Sequence, residues 1–211
     1  MVLRKALWAT LAGGAFALVS SGAMAIAFVD CSTITTVSAW KTAGSCTQGD
    51  KLWTFTSDTL LDSATIVFST PSPTSHLMVI SNFDNSDAPG AWDIKYTITV
   101  LDPTSFRISQ MAAGADVTGG AAALLTKTVT GDASFVLTVI NGVEGPGSIK
   151  TGPNAVTLNV DESFSAAADT DFNSVSDSFK QKRLEAPVPG TLALLGLGLV
   201  ALGAIRRTRR S

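Results

Sequence analysis

Residues 93–100 read DIKYTITV, in which polar and apolar side chains alternate strictly. Because successive side chains of a β-strand point to opposite faces, this period of two predicts a strand with one buried face. The predicted buried side chains are Ile94, Tyr96, Ile98 and Val100. Residues 133–140 alternate in the same way, with Phe135, Leu137 and Val139 on the apolar side. Both segments are typical of antiparallel strands whose second face meets solvent.

Similar segments, rich in β-branched and aromatic residues, recur along the chain and are separated by Gly, Pro, Asn and Asp turn signals. The predicted strands are 52–57, 64–70, 76–81, 94–101, 105–109, 123–130, 133–140, 155–160 and 174–181. The connections are too short for parallel crossovers, and no long amphipathic helix interrupts them. The sequence therefore predicts an all-β protein, an antiparallel β-sandwich of jelly-roll or immunoglobulin-like type.

The first 27 residues have the layout of a secretory signal peptide. Arg4 and Lys5 precede a short apolar run over 7–19, and small residues follow at the expected cleavage positions. Cleavage is expected after Ala25 or Ala27. An apolar run of this length, broken by glycines, is too short for the roughly 20 residues of a membrane span.

Two cysteines, Cys31 and Cys46, lie at the start of the expected mature chain. In an exported protein an even pair is most simply a disulfide, because the compartment is oxidising. The alternative is a metal-binding or catalytic thiol. A metal would need more ligands, and the one histidine, His76, is distant in sequence.

Residues 186–211 read APVPGTLALLGLGLVALGAIRRTRRS. Counted from Ala186, the uncharged run is long enough to span a bilayer as one helix, with its prolines in the first turn. The four arginines would stay on the cytoplasmic side; they are Arg206, Arg207, Arg209 and Arg210. An ordinary one-pass anchor is one interpretation.

The order of proline motif, Leu/Gly-rich helix and terminal arginines resembles the PEP-CTERM sorting signal of Gram-negative bacteria that produce exopolysaccharide. The motif is Pro187-Val188-Pro189-Gly190, and Val188 departs from the Glu that is common there. Residues 40–56, WKTAGSCTQGDKLWTFT, resemble a segment common near the mature start of such proteins.

The resemblance implies three parts: a signal peptide over 1–27, a β-sandwich domain over 28–185, and a sorting signal over 186–211. It implies processing by signal peptidase and exosortase, with a precursor anchored in the inner membrane and a product at the cell surface or outside the cell. The implied function is structural or adhesive, in an exopolysaccharide or biofilm context. A surface-displayed module that binds glycan or calcium is the alternative, and a matrix polysaccharide hydrolase is the second.

The net charge of the domain and the absence of catalytic motifs argue against nucleic-acid binding and against enzyme activity. Six of the 15 basic residues lie in the terminal segments, so residues 28–185 carry nine basic and 17 acidic residues, a net charge of −8. Such a domain does not suit nucleic acid, whose phosphates need Lys and Arg. No nucleophile elbow or zinc-binding spacing is present, and no carboxylate pair stands out as a glycosidase pair. We therefore expect no enzyme activity and no cofactor, with His76 as a structural residue.

Calcium is the remaining ligand to consider. Asp169, Asp171 and Asn173 alternate as the first oxygen ligands of an EF-hand loop do, but the later positions of that motif are not met. The segment 82–87 is also rich in oxygen ligands. Acidic turns of this kind are usually only solvated, so the sequence offers these residues as candidates without assigning a metal.

Overall fold

The structure is a computed structural model that describes residues 28–60, 62–83, 91–119, 122–167 and 170–185. Its strands are β1 (Val29–Asp30), β2 (Ser45–Gln48), β3 (Lys51–Asp58), β4 (Thr65–Ser72), β5 (Ser75–Ser81), β6 (Ala91–Val100), β7 (Phe106–Gly119), β8 (Ala123–Gly131), β9 (Phe135–Ile140), β10 (Val143–Glu144), β11 (Ile149–Ala155), β12 (Thr157–Ala166) and β13 (Thr170–Arg183). The helical elements in these ranges are α1 (Val37–Ala43) and two single 3-10 turns, Cys31–Thr33 and Pro146–Ser148.

The strands form two sheets that enclose one core. The larger sheet has the order β1-β2-β3-β6-β12-β8-β9-β10, and the smaller has the order β11-β7-β13-β5-β4. All neighbouring strands are antiparallel except the short pair β1 and β2. The predicted all-β class and the antiparallel two-sheet sandwich are confirmed. The chain passes repeatedly from one sheet to the other, so the central strands of each sheet are distant in sequence.

The alternation in β6 sets the inner face of the larger sheet. Ile94, Tyr96, Ile98 and Val100 are all buried, as predicted. In β9, Leu137 and Val139 are buried, whereas Phe135 at the strand's start is only partly covered. The inner faces of the two sheets supply most of the hydrophobic core.

Aromatic rings join the two sheets at one end of this core. Trp53 on β3 is fully buried and makes edge-to-face contacts with Phe68 on β4 and Phe179 on β13, with ring centroids 5.2 Å apart in each case. Trp40 on α1 is also fully buried and packs on Phe68. Edge-to-face packing stabilises such pairs beyond the burial of their area.

Helix α1 is an element that the strand pattern did not predict. It begins after Thr36, whose Oγ1 accepts a hydrogen bond from the amide of Ala39 at 3.1 Å. It ends at Gly44, whose φ of +70° lets its N–H donate to the carbonyl of Trp40 at 2.8 Å. Seven residues are too few for a visible helical period, so the apolar pair Val37 and Trp40 alone marks the buried side.

Two other elements differ from the predicted boundaries. Strand β7 continues through residues 110–119, whose Ala and Gly content is poor for a strand, because β13 pairs with it along this whole length and β11 pairs with it as far as Ala112. The Gly-Pro-Asn segment 152–154, which has the composition of a turn, lies inside β11 as an irregularity, with positive φ at Gly152 and Asn154. Pairing with neighbouring strands here overrides the local preference of the sequence.

The structure describes neither of the expected terminal segments. Residues 1–27 and 186–211 lie outside the described residues, and with them Ala25, Ala27, the proline motif and the four arginines. Within the part of the chain that the structure describes, no helix is long and apolar enough to cross a membrane.

The disulfide between Cys31 and Cys46 is confirmed and ties the 3-10 turn before α1 to β2, the neighbour of the edge strand β1. Both cysteines are fully buried. Their Cα atoms are 4.9 Å apart and 15 residues apart in sequence. The bond therefore closes the segment that contains α1 and brings Trp40 to the core.

Replacing both cysteines, Cys31→Ser with Cys46→Ser, should lower the free energy of unfolding by about 3 kcal/mol, because a loop of this length regains its entropy in the unfolded chain. Urea unfolding followed by tryptophan fluorescence measures the change. A reducing agent should shift the midpoint of the wild type and leave that of the double variant unchanged. Equal midpoints for the oxidised wild type and the double variant would contradict the expected stabilisation.

Candidate functional site

Charged side chains occupy inward positions on three strands of the core. Lys127 on β8 and Glu162 on β12 lie in the larger sheet, and Asp177 on β13 lies in the smaller one. Each is flanked two residues away, on both sides, by buried apolar side chains. These flanking residues are Leu125 and Val129, Val160 and Phe164, and Val175 and Phe179. The alternation of the strands thus places three ionisable groups where a hydrophobic residue is normal.

Register and packing bring these groups together. Lys127 and Glu162 are directly paired across β8 and β12, and Nζ of Lys127 lies 3.7 Å from Oε1 of Glu162. The same Nζ is in direct contact with Oδ1 of Asp177, across the gap between the sheets. Tyr96 on β6 donates from its hydroxyl to Oδ2 of Asp177 at 2.6 Å. We call Tyr96, Lys127, Glu162 and Asp177 the inner cluster.

The inner cluster is sealed from solvent. The exposed fractions of the Lys127, Glu162 and Asp177 side chains are 0%, 0% and 1%. Both carboxylate oxygens of Glu162 lack a hydrogen-bond partner among the described residues, since 3.7 Å exceeds hydrogen-bond length. Two carboxyl groups and one amine therefore share a dry site, and full ionisation would leave one uncompensated negative charge.

Burial shifts the protonation of the inner cluster towards neutral forms. It lowers the pKa of Lys127 to about 8, against the opposing effect of nearby Glu162. It raises the pKa of Glu162, again against the opposing effect of Lys127. It also raises the pKa of the Tyr96 hydroxyl well above its ordinary value, so Tyr96 stays a proton donor. An uncharged amine and a protonated carboxyl group are the forms that a dry interior favours.

A second buried polar group lies at the β2–β3 hairpin. Nζ of Lys51 lies 2.7 Å from Oδ1 of Asp50 and contacts the side-chain oxygen of Gln181. Nε2 of His76 lies 3.5 Å from the same Asp50 oxygen. Gln181 also donates to the carbonyl of Pro73 at 3.1 Å. We call Asp50, Lys51, His76 and Gln181 the hairpin cluster.

His76 has the environment of a structural residue. It is 1% exposed, and burial together with the positive charge of Lys51 lowers its pKa to about 4. Neither ring nitrogen has a hydrogen-bond partner within the described part of the chain. A neutral, enclosed imidazole is out of reach of a ligand in solution.

The outer face of the larger sheet carries a shallow polar depression of about 320 Å³. Nζ of Lys95 lies 2.6 Å from Oδ2 of Asp161, and the Thr97 hydroxyl donates to the side-chain oxygen of Asn159 at 2.9 Å. Other side chains along it are Thr56, Thr128 and Thr130. Hydroxyl, amide and ion-pair groups are thus grouped on one exposed surface, which we call the outer polar face.

No row of exposed tryptophans accompanies this surface in the described ranges. Trp40 and Trp53 are fully buried, and Trp92 is partly buried, stacked on Phe164 with ring centroids 5.6 Å apart. Trp40 and Trp53 belong to the core, and Trp92 packs against it. A sugar platform of stacked rings is therefore not formed by them.

The calcium candidates are not brought together as a loop. Asp171 and Asn173 lie in β13 as exposed strand residues, and Asp169 lies outside the described residues. Asn173 instead faces β7, where its amide lies 3.4 Å from Asp116. In the described ranges no group of three His, Cys, Asp or Glu side chains could hold a metal ion. Only residues 82 and 83 of the second candidate segment, 82–87, are described.

The strand pattern alone did not predict the inner cluster, although the sequence contains a signal for it. In LLTKTVT (124–130), Lys127 falls on the same face as Leu125 and Val129. The strands around Glu162 and Asp177 show the same substitution of a charge for an apolar residue at an inward position. Three such substitutions in one domain indicate a buried charged group, since an isolated buried charge is too costly.

The low pKa of His76 makes the stability of the domain depend on pH. The unfolded chain binds the histidine proton near pH 6.5 and the folded chain only near pH 4, so stability is lost as the pH falls through this window. Between pH 7 and pH 5 we expect a loss of about 2 kcal/mol from this residue. Urea midpoints at both pH values measure it.

The matched variant His76→Gln removes the titrating group and keeps a polar side chain. Its unfolding free energy should fall less between pH 7 and pH 5 than that of the wild type, because the carboxyl groups titrate equally in both proteins. Identical losses for the two proteins would show that His76 does not carry this pH dependence.

The comparisons with known proteins assign no family. No protein-family model matches the chain, and no curated protein matches it. A solved structure that is similar to part of it is TmCBM61 in complex with β-1,4-galactotriose, at 11% sequence identity and a TM-score of 0.29. That likeness covers 63% of this chain and 88% of the other. A TM-score of this size supports no conclusion about fold or ligand.

Proposed function

We propose that residues 28–185 form a structural or adhesive domain of an exported protein, displayed at the cell surface or in the extracellular matrix of a polysaccharide-producing bacterium. The observation that carries this proposal is the location of the reactive side chains. Lys51, His76, Lys127, Glu162 and Asp177 are at most 1% exposed. The side chains that could act as nucleophiles, acids or bases are therefore buried in the core, where they contact one another between the strands.

This arrangement does not favour the hydrolase alternative. Glycoside hydrolysis needs two carboxyl groups that flank a substrate in an open cleft. Glu162 and Asp177 are neighbours of the same lysine, but the two sheets cover them completely. A polysaccharide chain would have to separate the sheets to reach them.

Export is supported by the disulfide and by the charge of the domain. A buried disulfide persists in oxidising compartments, and a net charge of −8 over residues 28–185 favours solubility outside the cell.

Delivery is proposed to follow the sorting signal of the tail. Signal peptidase would cut after Ala25 or Ala27, and the precursor would stay in the inner membrane through residues 186–211. Exosortase would then act at the motif Pro187-Val188-Pro189-Gly190, near the outer boundary of the membrane. The arginine cluster would hold the other end of the helix inside.

Glycan binding is the second candidate, and the outer polar face favours it. Its hydroxyl, amide and ion-pair groups can donate to and accept from sugar hydroxyls. A matrix polysaccharide lying along this face would meet Lys95, Asn159 and Asp161. Such binding is compatible with a structural role, because a matrix protein must contact the matrix.

Processing of the tail should remove its four arginines from the mature protein. Mass spectrometry of the protein from cells with and without the sorting enzyme measures this, and the product should be shorter only where the enzyme is present. The variant Pro187→Ala with Pro189→Ala should block processing because it removes the motif. The control Pro71→Ala, an exposed position in β4, should leave it unchanged. Arginines retained in both strains would make the tail an ordinary anchor.

The glycan candidate is tested on the outer polar face. If polysaccharide binds there, Asn159→Ala should weaken binding about fivefold, because each lost hydrogen bond to a ligand is worth about 1 kcal/mol. Co-sedimentation of the protein with purified exopolysaccharide measures the affinity. The control Lys150→Ala lies on β11 of the other sheet and should bind as the wild type does. Equal affinities for the wild type and both variants would show that the polysaccharide does not bind at the outer polar face.

A further inference from the structure

We propose that Lys127 and Asp177 are joined by an intramolecular amide bond between Nζ and Cγ, formed by the folded domain itself with Glu162 as the proton relay. The observations that carry this inference are the direct contact of amine and carboxyl group and a third, unpartnered carboxyl group beside them. The bond requires neither export nor tail processing, so it is independent of the proposed surface role.

The geometry supplies each part that amide formation needs. Nζ of Lys127 touches Oδ1 of Asp177, so Cγ, the atom to be attacked, is one bond further. The Tyr96 hydroxyl donates to the other oxygen, Oδ2, at 2.6 Å. Glu162 lies beside the same amine, with Oε1 at 3.7 Å from Nζ. Such placement replaces a bimolecular encounter by a reaction within one site, which lowers the barrier strongly.

The reaction balances as a loss of water. A proton passes from the lysine ammonium to Oδ1, which leaves an uncharged amine and a carboxylic acid. The nitrogen lone pair attacks Cγ, and the developing charge on Oδ2 is held by the Tyr96 hydroxyl. Protonated Glu162 gives its proton to the leaving Oδ1, which departs as water, and takes a second proton from Nζ in return. Oδ2 becomes the amide oxygen, one N–H remains on Nζ, and Glu162 ends as it began.

The surroundings favour this chemistry over a permanent ion pair. An amine is nucleophilic only when uncharged, and burial lowers the pKa of Lys127 to about 8. Burial also raises the pKa of Glu162, which suits a group that must carry a proton at neutral pH. The sealed site removes the water that would otherwise reverse the reaction.

Amide formation also relieves an electrostatic problem of the core. Two carboxylates and one ammonium in a dry interior carry a net negative charge and pay the desolvation cost of three ions. The amide replaces two of these ions by a neutral group. Glu162 can then remain protonated and donate a hydrogen bond, which would satisfy a side chain that now has no partner.

The two linked strands make the bond structurally significant. β8 lies inside the larger sheet and β13 is the central strand of the smaller one, so the amide would connect the two layers of the sandwich. Lys127 and Asp177 are 50 residues apart. The link would therefore hold the sheets together even when the side-chain packing between them opens.

Peptide mapping of the purified full-length protein tests the bond directly. Trypsin does not cut after an acylated lysine, so residues 108–150 should appear as one peptide joined to residues 151–180. Tandem mass spectrometry should place the branch at Lys127 and Asp177, with a mass one water below the sum of the two peptides. Recovery of the linear peptides 108–127 and 128–150 from the wild type would overturn the proposal.

Two near-isosteric variants separate the bond from a purely structural role of the cluster. Glu162→Gln keeps the shape of the side chain but cannot relay protons, so its digest should yield the linear peptides. Asp177→Asn should still form the bond, now with loss of ammonia, and should give the same branched peptide as the wild type. A branched peptide formed equally well by Glu162→Gln would remove Glu162 from the mechanism.

A surface control and a stability readout complete the test. Lys150→Arg lies on the exposed face of β11 and should leave the branch at Lys127 unchanged. Thermal unfolding should occur at a lower temperature for Glu162→Gln than for the wild type and for Asp177→Asn. Equal unfolding temperatures, together with linear peptides in all proteins, would leave the inner cluster as an ordinary buried ion pair.

Discussion

The contact of Lys127 with Asp177 across the two sheets is the interaction on which the rest of the interior depends. A buried amine cannot be left without its acidic partners, because one uncompensated charge in the core would cost several kcal/mol. The sheets must therefore stack with β8 and β12 opposite β13, and a shift of either sheet would break the contact. Hydrophobic packing alone tolerates such shifts better, since apolar contacts are less directional. The charged group therefore selects one stacking of the sandwich.

Much of this fold could be predicted from alternation along single strands. The inward series of β6 in 93–100 gave the inner face directly, and the two cysteines gave the N-terminal link. What alternation could not supply was the pairing of distant strands. Strand β7 has a poor strand composition over 110–119, yet β13 pairs with it along that whole length and β11 pairs with it as far as Ala112. The short helix α1 was missed for the converse reason, because seven residues show no period and only the cap at Thr36 marks them.

The candidate site was partly visible in the same patterns. Lys127 stands at an inward position of an otherwise regular strand, and so do Glu162 and Asp177, so each could be recognised as an anomaly. Their meeting could not be read from the sequence, because it depends on the register of β8 with β12 and on the stacking of the two sheets. By contrast, Asp171 and Asn173 have a ligand-like spacing in the sequence, but in an extended strand they form no cage.

The domain would then contain two covalent cross-links of different chemistry, which stabilise different parts of it. The disulfide closes a short loop at the edge of the larger sheet and can form only where an oxidant is present. The proposed amide lies at the centre, needs no oxidant and is not opened by reducing agents. Because Lys127, Glu162 and Asp177 meet only when both sheets are in place, the amide can form only after the sandwich has folded. The bond would thus form only in correctly folded molecules and would then hinder their unfolding. This suits a protein that must keep its structure outside the cell, without chaperones.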